Sequence, residues 1–347
     1  MNYERILIVK PSAIGDITTA LPSLHSLRKA YPDAHISWLV RKEFAPLIAN
    51  HPELDEVIIF DRKLLSRWWR DRKSFSELKE LVGKLRDGSF DLVLDLQGLF
   101  RSGILTWLTR SKNRFGMQTA REMAPIFYTK KVSPPENSRH VIDYYQKIVA
   151  QTGAEDVSVE FILPPEPEAM DYCVKLLKDN GVDPDNFRIF VAGASEPNKC
   201  WQSEKFGALA EKIVADNGGQ IVIVGTPADT PAAKEIISTT DAPVVDLTGK
   251  TNLPQLVALM HMSKLIISND TGPGHIAIAT KRPAVIIFGY TNPIRLYPYN
   301  RMDAMAVNDF DGRGLKLRSS DPKHSIKQIT LQQVYEKVLL QQNNQKI

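Results

Sequence analysis

Two cysteines, Cys173 and Cys200, are all that 347 residues offer, too few for a metal knuckle or a framework of bridges. Reduced thiols suit the cytoplasm. Long apolar runs are missing too: stretches such as 5–10 and 284–289 have strand length and stop far short of the roughly 20 apolar residues a membrane span needs. The chain enters its first strand-like run directly from Met1-Asn2-Tyr3-Glu4-Arg5, without the regions of a secretory leader. A soluble cytoplasmic protein is expected. The Gly-x-Gly-x-x-Gly dinucleotide fingerprint is also missing, which disfavours a nicotinamide-dependent oxidoreductase. No internal repeat or low-complexity segment is evident, and the final Gln-Gln-Asn-Asn-Gln-Lys-Ile reads as a frayed tail.

What is present, 43% apolar and 24% charged residues, suffices for two ordinary domains with a core each. The net charge of +4 is uneven: residues 1–160 hold 24 basic and 20 acidic residues, and 161–347 hold 20 of each. Over 101–131, Arg101, Arg110, Lys112, Arg114, Arg121, Lys130 and Lys131 stand against the single acid Glu122, a stretch suited to an anion. A second cluster, Arg62, Lys63, Arg67, Trp68, Trp69, Arg70, Arg72 and Lys73, mixes cations with tryptophan as surfaces at lipid headgroups do; a solvated helix face is the plainer alternative. Nucleic acid is disfavoured, because no recognised binding module is spelled and the basic excess is modest.

Short β-rich runs alternate with helix-length amphipathic segments, the pattern of parallel sheets joined by crossover helices. Strands are expected near 5–10, 35–40, 56–60 and 91–96, with helices near 17–30, 75–86 and 139–151. A proline-dense stretch at 161–168 reads as an extended linker. Beyond it the pattern restarts, with strands near 188–192, 220–225, 244–247, 265–268 and 284–288 and helices near 204–217, 231–239, 253–262 and 273–280. The fold class is α/β: one doubly wound domain over 1–160, a linker over 161–170, and a second domain over 171–347 whose C-terminal helix is left free to return to the first. Two such domains in series predict a cleft where the carboxyl ends of both sheets face one ligand, a layout suited to a two-substrate transferase.

Three constellations carry chemistry. Lys10-Pro11-Ser12-Ala13-Ile14-Gly15-Asp16 follows the first strand and opens the first helix. Asp16 at a helix N-terminus gains from free backbone N–H groups and the helix dipole, and a carboxylate there can take the proton of an attacking hydroxyl; an ordinary N-cap is the alternative. Ser268-Asn269-Asp270-Thr271-Gly272-Pro273-Gly274-His275 again joins a buried strand to a helix. Thr271, Gly272 and Gly274 leave N–H groups open there, an anion site for a diphosphate. Asp270 would repel phosphate and is assigned to sugar hydroxyls, against the alternative of a tight glycine turn. In Gly193-Ala194-Ser195-Glu196-Pro197-Asn198-Lys199-Cys200-Trp201, Lys199 can neutralise a diphosphate and Ser195 can donate a hydroxyl to it. Two Asp-x-Asp spellings, at Asp183 to Asp185 and Asp309 to Asp311, are read as turns that follow no strand, so no metal site is expected.

These segments together resemble the bacterial lipopolysaccharide heptosyltransferases, glycosyltransferase family 9, over nearly the whole chain. The most specific run is Leu247-Thr248-Gly249-Lys250-Thr251, through Leu253 and Leu256, to Asn269-Asp270-Thr271-Gly272-Pro273 and His275. Lys10 to Asp16, Asp95-Leu96-Gln97-Gly98-Leu99 with Arg101-Ser102, and Lys199 with Trp201 follow in the family's order. Gln118-Thr119-Ala120-Arg121-Glu122 with Phe127-Tyr128, and Arg67-Trp68-Trp69-Arg70, look like the heptosyltransferase I branch. Asn269 and Pro273 fit the broader family better, and Gly207 stands where a stronger helix former is expected.

The resemblance implies a GT-B fold of two Rossmann-like domains, ADP-L-glycero-β-D-manno-heptose as donor and the Kdo region of lipid A as acceptor. It also implies inversion without metal or other cofactor, at the cytoplasmic face of the inner membrane with peripheral contact. By matching motif, Asp16 resembles the catalytic base, Lys199 and Ser195 the diphosphate ligands, and Thr271 and Gly272 phosphate contacts. Gly274 and His275 share that donor loop, Asp270 resembles the heptose contact and Asp229 the ribose contact. Arg101 and Arg121 look like acceptor-side groups, with Ser12 and His140 beside them, His140 having a structural role as its alternative. The rivals are a family relative acting on another acceptor (a second heptose, O-antigen or protein) and a nucleotide-sugar-binding module that no longer catalyses.

Overall fold

The computed structural model describes residues 2–61, 69 and 71–343. Arg62, Lys63, Arg67, Trp68 and Arg70 of the tryptophan-rich cluster lie outside them, as do 344–347 of the expected tail. The chain forms two units, Met1–Ile162 and Leu163–Ile347, which part inside the proline-dense stretch.

Six parallel strands make the first sheet: β1 (Arg5–Val9), β2 (His35–Arg41), β3 (Glu56–Phe60), β4 (Leu92–Asp95), β5 (Arg114–Met117) and β6 (Lys130–Val132), in the order β3-β2-β1-β4-β5-β6. The second holds β7 (Phe187–Val191), β8 (Gln220–Ile223), β9 (Val244–Asp246), β10 (Ile266–Asn269), β11 (Ala284–Phe288) and β12 (Met305–Val307), in the order β12-β11-β10-β7-β8-β9. Numbered within its own unit, the second sheet repeats the first. Strands such as β1 and β11 are buried from end to end apart from Arg5, the continuous apolar reading of parallel strands covered on both faces. In each sheet the winding reverses beside the first strand, between β1 and β4 and between β7 and β10, where ligands bind in such folds.

The first predicted helix is two, α1 (Ile14–Thr18) and α2 (Leu21–Ala30). Pro22 cannot donate to a carbonyl one turn back, and the Thr18 and Thr19 hydroxyls instead bond the Ile14 and Asp16 carbonyls. Helices α3 (Arg72–Asp87), α4 (Phe100–Leu108) and α5 (Val141–Ala150) follow among the described residues of the first unit. Helix α6 (Pro167–Asp179) begins inside the expected linker, because Pro167 takes the first helical position, where its missing N–H costs nothing.

The second unit adds α7 (Ser203–Asn217), α8 (Thr230–Ser238), α9 (Leu253–Met262), α10 (Gly272–Ala279) and α11 (Leu331–Asn343). Gly207 is explained here: any Cβ would collide with Thr239, so helix packing outweighs propensity. The sequence left α11 free to return to the first domain, yet Val334 and Val338 join the second unit's own core with Phe206, Trp201 and Ile287. Nor is the tail frayed from Gln341, which is buried, accepts from Arg301 (2.6 Å) and donates to Asp303 (2.7 Å). Among the described residues no helix is long and apolar enough to cross a membrane.

Candidate active site

At the first switch point the chain leaves β1 and turns beside the end of β4. Lys10 is buried and donates to the Leu96 carbonyl (3.1 Å) and the Tyr145 hydroxyl (2.9 Å), with Asp16 Oδ1 3.6 Å away. Burial pulls the Lys10 pKa down, but Tyr145 and the Asp16 and Asp95 carboxylates more than offset it, so the ammonium lies above the ordinary lysine value. It is a fixed cation beside a part-exposed carboxylate. Asp16 is the third residue of α1, and its Oδ2 accepts from the Ala13 N–H (3.1 Å), which pins it where the helix dipole favours an anion.

Asp95, at the end of β4, is fully buried. Its Oδ1 accepts from the Gln97 and Gly98 N–H groups (2.9 and 3.0 Å), and its Oδ2 from the Ser102 and Tyr128 hydroxyls (2.8 and 2.7 Å). Burial pushes its carboxyl above the usual range against those four bonds. The loop it holds gathers two others: Gln97 Oε1 accepts from the Ser12 N–H (3.3 Å), and the Gly98 carbonyl from the Arg121 N–H (3.0 Å). Gly98 sits at φ +67°, with Met117 and Ala120 against the place of a Cβ, so only glycine fits.

Ser12 is thus half-buried at this junction, and Arg101 and Arg121 are exposed cations beside it. His140 is different. It is buried at the N-cap of α5, where Nδ1 accepts from the Ile142 N–H (3.2 Å). This capping contact fits the structural role that the sequence left open as its alternative.

At the second switch point Asn269, fully buried at the end of β10, joins two loops: Oδ1 accepts from the Trp201 N–H (3.1 Å) and Nδ2 donates to the Ala192 carbonyl (2.6 Å). Lys199 is thereby brought onto Asp270, with Nζ 3.0 Å from Oδ2 and 3.4 Å from its carbonyl. The pair is largely buried, and His275 Nε2 stands 4.0 Å from the other carboxylate oxygen. Thr271 is the N-cap of α10 but turns its hydroxyl back toward Ser268 and the Asn269 carbonyl (3.3 Å each). That leaves the N–H groups of Thr271, Gly272 and Gly274 without an acceptor among the described residues. Gly274 lets the helix start close to β10, since a Cβ would press on Ser268 and Asn269.

Ser195 is exposed on the loop after β7. Asp229, after β8, accepts on Oδ2 from the Thr226 N–H and hydroxyl (2.7 and 2.8 Å) and lies so close to Gly193 and Gly225 that neither could carry a Cβ. All the donor-side residues named from the sequence, apart from the more peripheral Ser195 and Asp229, share the β7–β10 edge.

The expectation that no Asp-x-Asp follows a strand is corrected: Asp309 comes two residues after β12, a three-residue strand too short to read from sequence. Asp309 is bound to Lys323 (2.7 Å), and Asp183 Oδ1 caps the Asp185 N–H (3.0 Å). Among the described residues no three His, Cys, Asp or Glu side chains are grouped to hold a metal ion.

Lys10, Asp95 and Asn269 were within quoted motifs but given no task; their roles depend on partners such as Tyr145, 135 residues distant from Lys10. Glu196 was overlooked as well. It accepts from the Tyr290 hydroxyl and from Arg318 (2.7 Å), and the Tyr290 bond, with the charges of Arg318 and Lys199, holds its carboxyl below the usual range.

Two doubly wound α/β units with polar loops at both switch points have the elements of a GT-B fold. The profile of "Glycosyltransferase family 9 (heptosyltransferase)" matches residues 78–321, and the chain belongs to that family and is a glycosyltransferase. Lipopolysaccharide core heptosyltransferase OpsX of Haemophilus influenzae is 26% identical over 86% of this chain and 83% of its own. Lipopolysaccharide heptosyltransferase 1 of Escherichia coli (strain K12) is 27% identical over 88% and 94%, and a heptosyltransferase 3 of Escherichia coli is 25% identical over 85% and 87%. Among solved structures, the family 9 glycosyl transferase of Veillonella parvula superposes with a TM-score of 0.84 at 25% identity, covering 99% of this chain and 98% of that one. E. coli heptosyltransferase WaaC with ADP gives 0.76 at 26% identity, covering 97% and 99%.

Proposed function

We propose that this enzyme works in the cytoplasm and transfers heptose, with inversion and without a divalent ion, from ADP-L-glycero-β-D-manno-heptose to the Kdo region of a lipid A acceptor in the lipopolysaccharide inner core. The observation that carries this reading is the Lys199–Asp270 pair beside the open N–H groups of α10. One group of charges suits a leaving diphosphate, and the carboxylate beside it suits sugar hydroxyls. The relatives' names support the sugar, and the E. coli WaaC structures hold ADP and ADP-2-deoxy-2-fluoro heptose.

The reaction is a single displacement. A hydroxyl of the acceptor forms the new bond to the anomeric carbon as the bond to the diphosphate oxygen breaks on the opposite face. Asp16 takes the hydroxyl proton, and ADP leaves with the electron pair. Donor binding exchanges the Lys199–Asp270 contact for Lys199–phosphate and Asp270–hydroxyl contacts. Charge then grows on the leaving group, so Lys199 and the Thr271 to Gly274 backbone matter most in the transition state.

Lys199→Ala is expected to lower turnover by on the order of 10²–10³, the loss of one electrostatic stabiliser, while Asp270→Ala chiefly weakens donor binding in calorimetry. Unchanged turnover in Lys199→Ala removes the role. Parallel assays on Kdo2-lipid A and on an acceptor already carrying heptose decide which hydroxyl donor the enzyme takes, and product only on the second reassigns the acceptor.

A further inference from the structure

A carboxylate beside a lysine that serves a diphosphate is a liability, because it repels the anion and competes for the ammonium. Glu196 stands three residues before Lys199, yet Lys199 reaches Asp270 instead. Both Glu196 oxygens are already engaged. Oε2 accepts from the Tyr290 hydroxyl and Oε1 from Arg318 (2.7 Å), whose guanidinium lies over the Tyr290 ring, 5.6 Å from its centre. The three side chains close a triangle, and the ionised members make its bonds stronger than neutral ones. Burial and the neighbouring carboxylate raise the pKa of the Tyr290 hydroxyl, which therefore stays a donor.

The triangle joins parts of the second unit that are far apart in sequence. Glu196 caps the short turn Pro197–Lys199, and its carbonyl accepts from the Lys199 N–H (2.9 Å). Tyr290 comes two residues after β11. Arg318 lies on a segment laid antiparallel against 290–292: it bridges to Thr291, the Ser319 N–H donates to the Tyr290 carbonyl, and the Asn292 N–H donates to the Leu317 carbonyl (2.9 Å each). Buried Arg313 fastens the start of that segment to the Gly289 and Thr291 carbonyls (2.5 and 3.0 Å). In the proposed reaction Lys199 exchanges Asp270 for phosphate, so its turn needs an anchor other than Asp270 during transfer. We infer that Glu196 is a positioning residue which, tied by Tyr290 and Arg318, fixes the Lys199 turn while the ammonium moves from Asp270 to the leaving diphosphate. This rests on the diphosphate role proposed above for Lys199.

A double-mutant cycle on the full-length enzyme tests it. Glu196→Ala is expected to lower turnover of ADP-heptose by about tenfold, part of the roughly 10² that a displacement of about 1 Å can cost, and to lower it no further in a Lys199→Ala background. Tyr290→Phe, which keeps the ring under Arg318 and removes the hydroxyl, should give a smaller loss with the same dependence on Lys199. An equal factor in both backgrounds overturns the proposal, because a residue that only supports folding, or that meets the donor by itself, costs the same whether Lys199 is present or not. No loss in either background overturns it too. If the unaltered chain makes no product on Kdo2-lipid A, the acceptor reading fails by itself; the same cycle is then read as ADP affinity by calorimetry, where a loss that vanishes in Lys199→Ala supports the positioning role and an equal loss in both overturns it. Lys199→Ala with unaltered turnover and ADP affinity removes the diphosphate role, and this inference with it.

Discussion

Lys199 and Asp95 are both charged groups removed from bulk water, yet they solve different problems. The partner of Lys199 is a single carboxylate that a ligand can replace, whereas Asp95 accepts four bonds from within its own unit and has nothing left to offer a substrate. Asp95 is therefore a positioning residue for the 97–99 loop. Asp95→Ala would leave buried donors without an acceptor and is expected to cost on the order of 3 kcal/mol in urea unfolding; a cost near zero would contradict the network. The placing of Asp16, Lys199 and Asp270 was legible because each lies in a segment that joins a strand to the helix after it. Lys10, Asn269 and Glu196 were not, because each acts through partners that only the fold brings near. The burial of His140 at the start of α5 was not legible either, since nothing in its neighbours announces it.

Among elements, most long amphipathic helices and the longer buried strands were readable within a few residues at either end, but α6 (Pro167–Asp179) was not, because its start lies inside the proline-dense stretch read as a linker. Short or uniform ones were not. Strand β5 is Arg-Phe-Gly-Met, with no β-branched residue, β12 has three residues, and α4 offers no clean apolar stripe because its apolar side chains point both to the core and to solvent. The segment after β12 is held by side chains rather than by a regular element: Asp309 binds Lys323 (2.7 Å) and His324 (3.3 Å), and His324 meets Ser319 (2.6 Å). The Lys323 bond, with His324, pulls the Asp309 carboxyl down to about 2. A depressed carboxylate stabilises the folded segment above its unfolded value near 4 and ceases to do so as pH falls through about 2. Protection of the 309–324 amides, relative to the intrinsic exchange rate at each pH, is expected to fall between pH 4 and pH 2, and Asp309→Asn to show the lower protection already at pH 5. Identical protection at both pH values in the unaltered chain would remove this strap.

On the scale of the whole molecule, two sheets of the same strand order place polar loops at the same relative edge, one carrying Asp16 and the other Lys199 with Asp270. The α/β class was legible because strand-length apolar runs with their crossover helices recur across the proline-dense stretch, four before it and five after it. The domain to which the last helix belongs was not, because α11 is amphipathic and its apolar side could pack on any sheet; Val334 and Val338 found the second. In the proposed reaction a nucleotide-activated heptose undergoes direct displacement with Asp16 as base. Transfer from ADP-heptose to Kdo2-lipid A in excess EDTA, comparing the unaltered chain with Asp16→Ala, tests it most directly. Product is expected from the unaltered chain, with a loss of at least about 10²-fold in the variant; equal rates, or no product from a chain that calorimetry shows to bind ADP-heptose, would contradict that reaction.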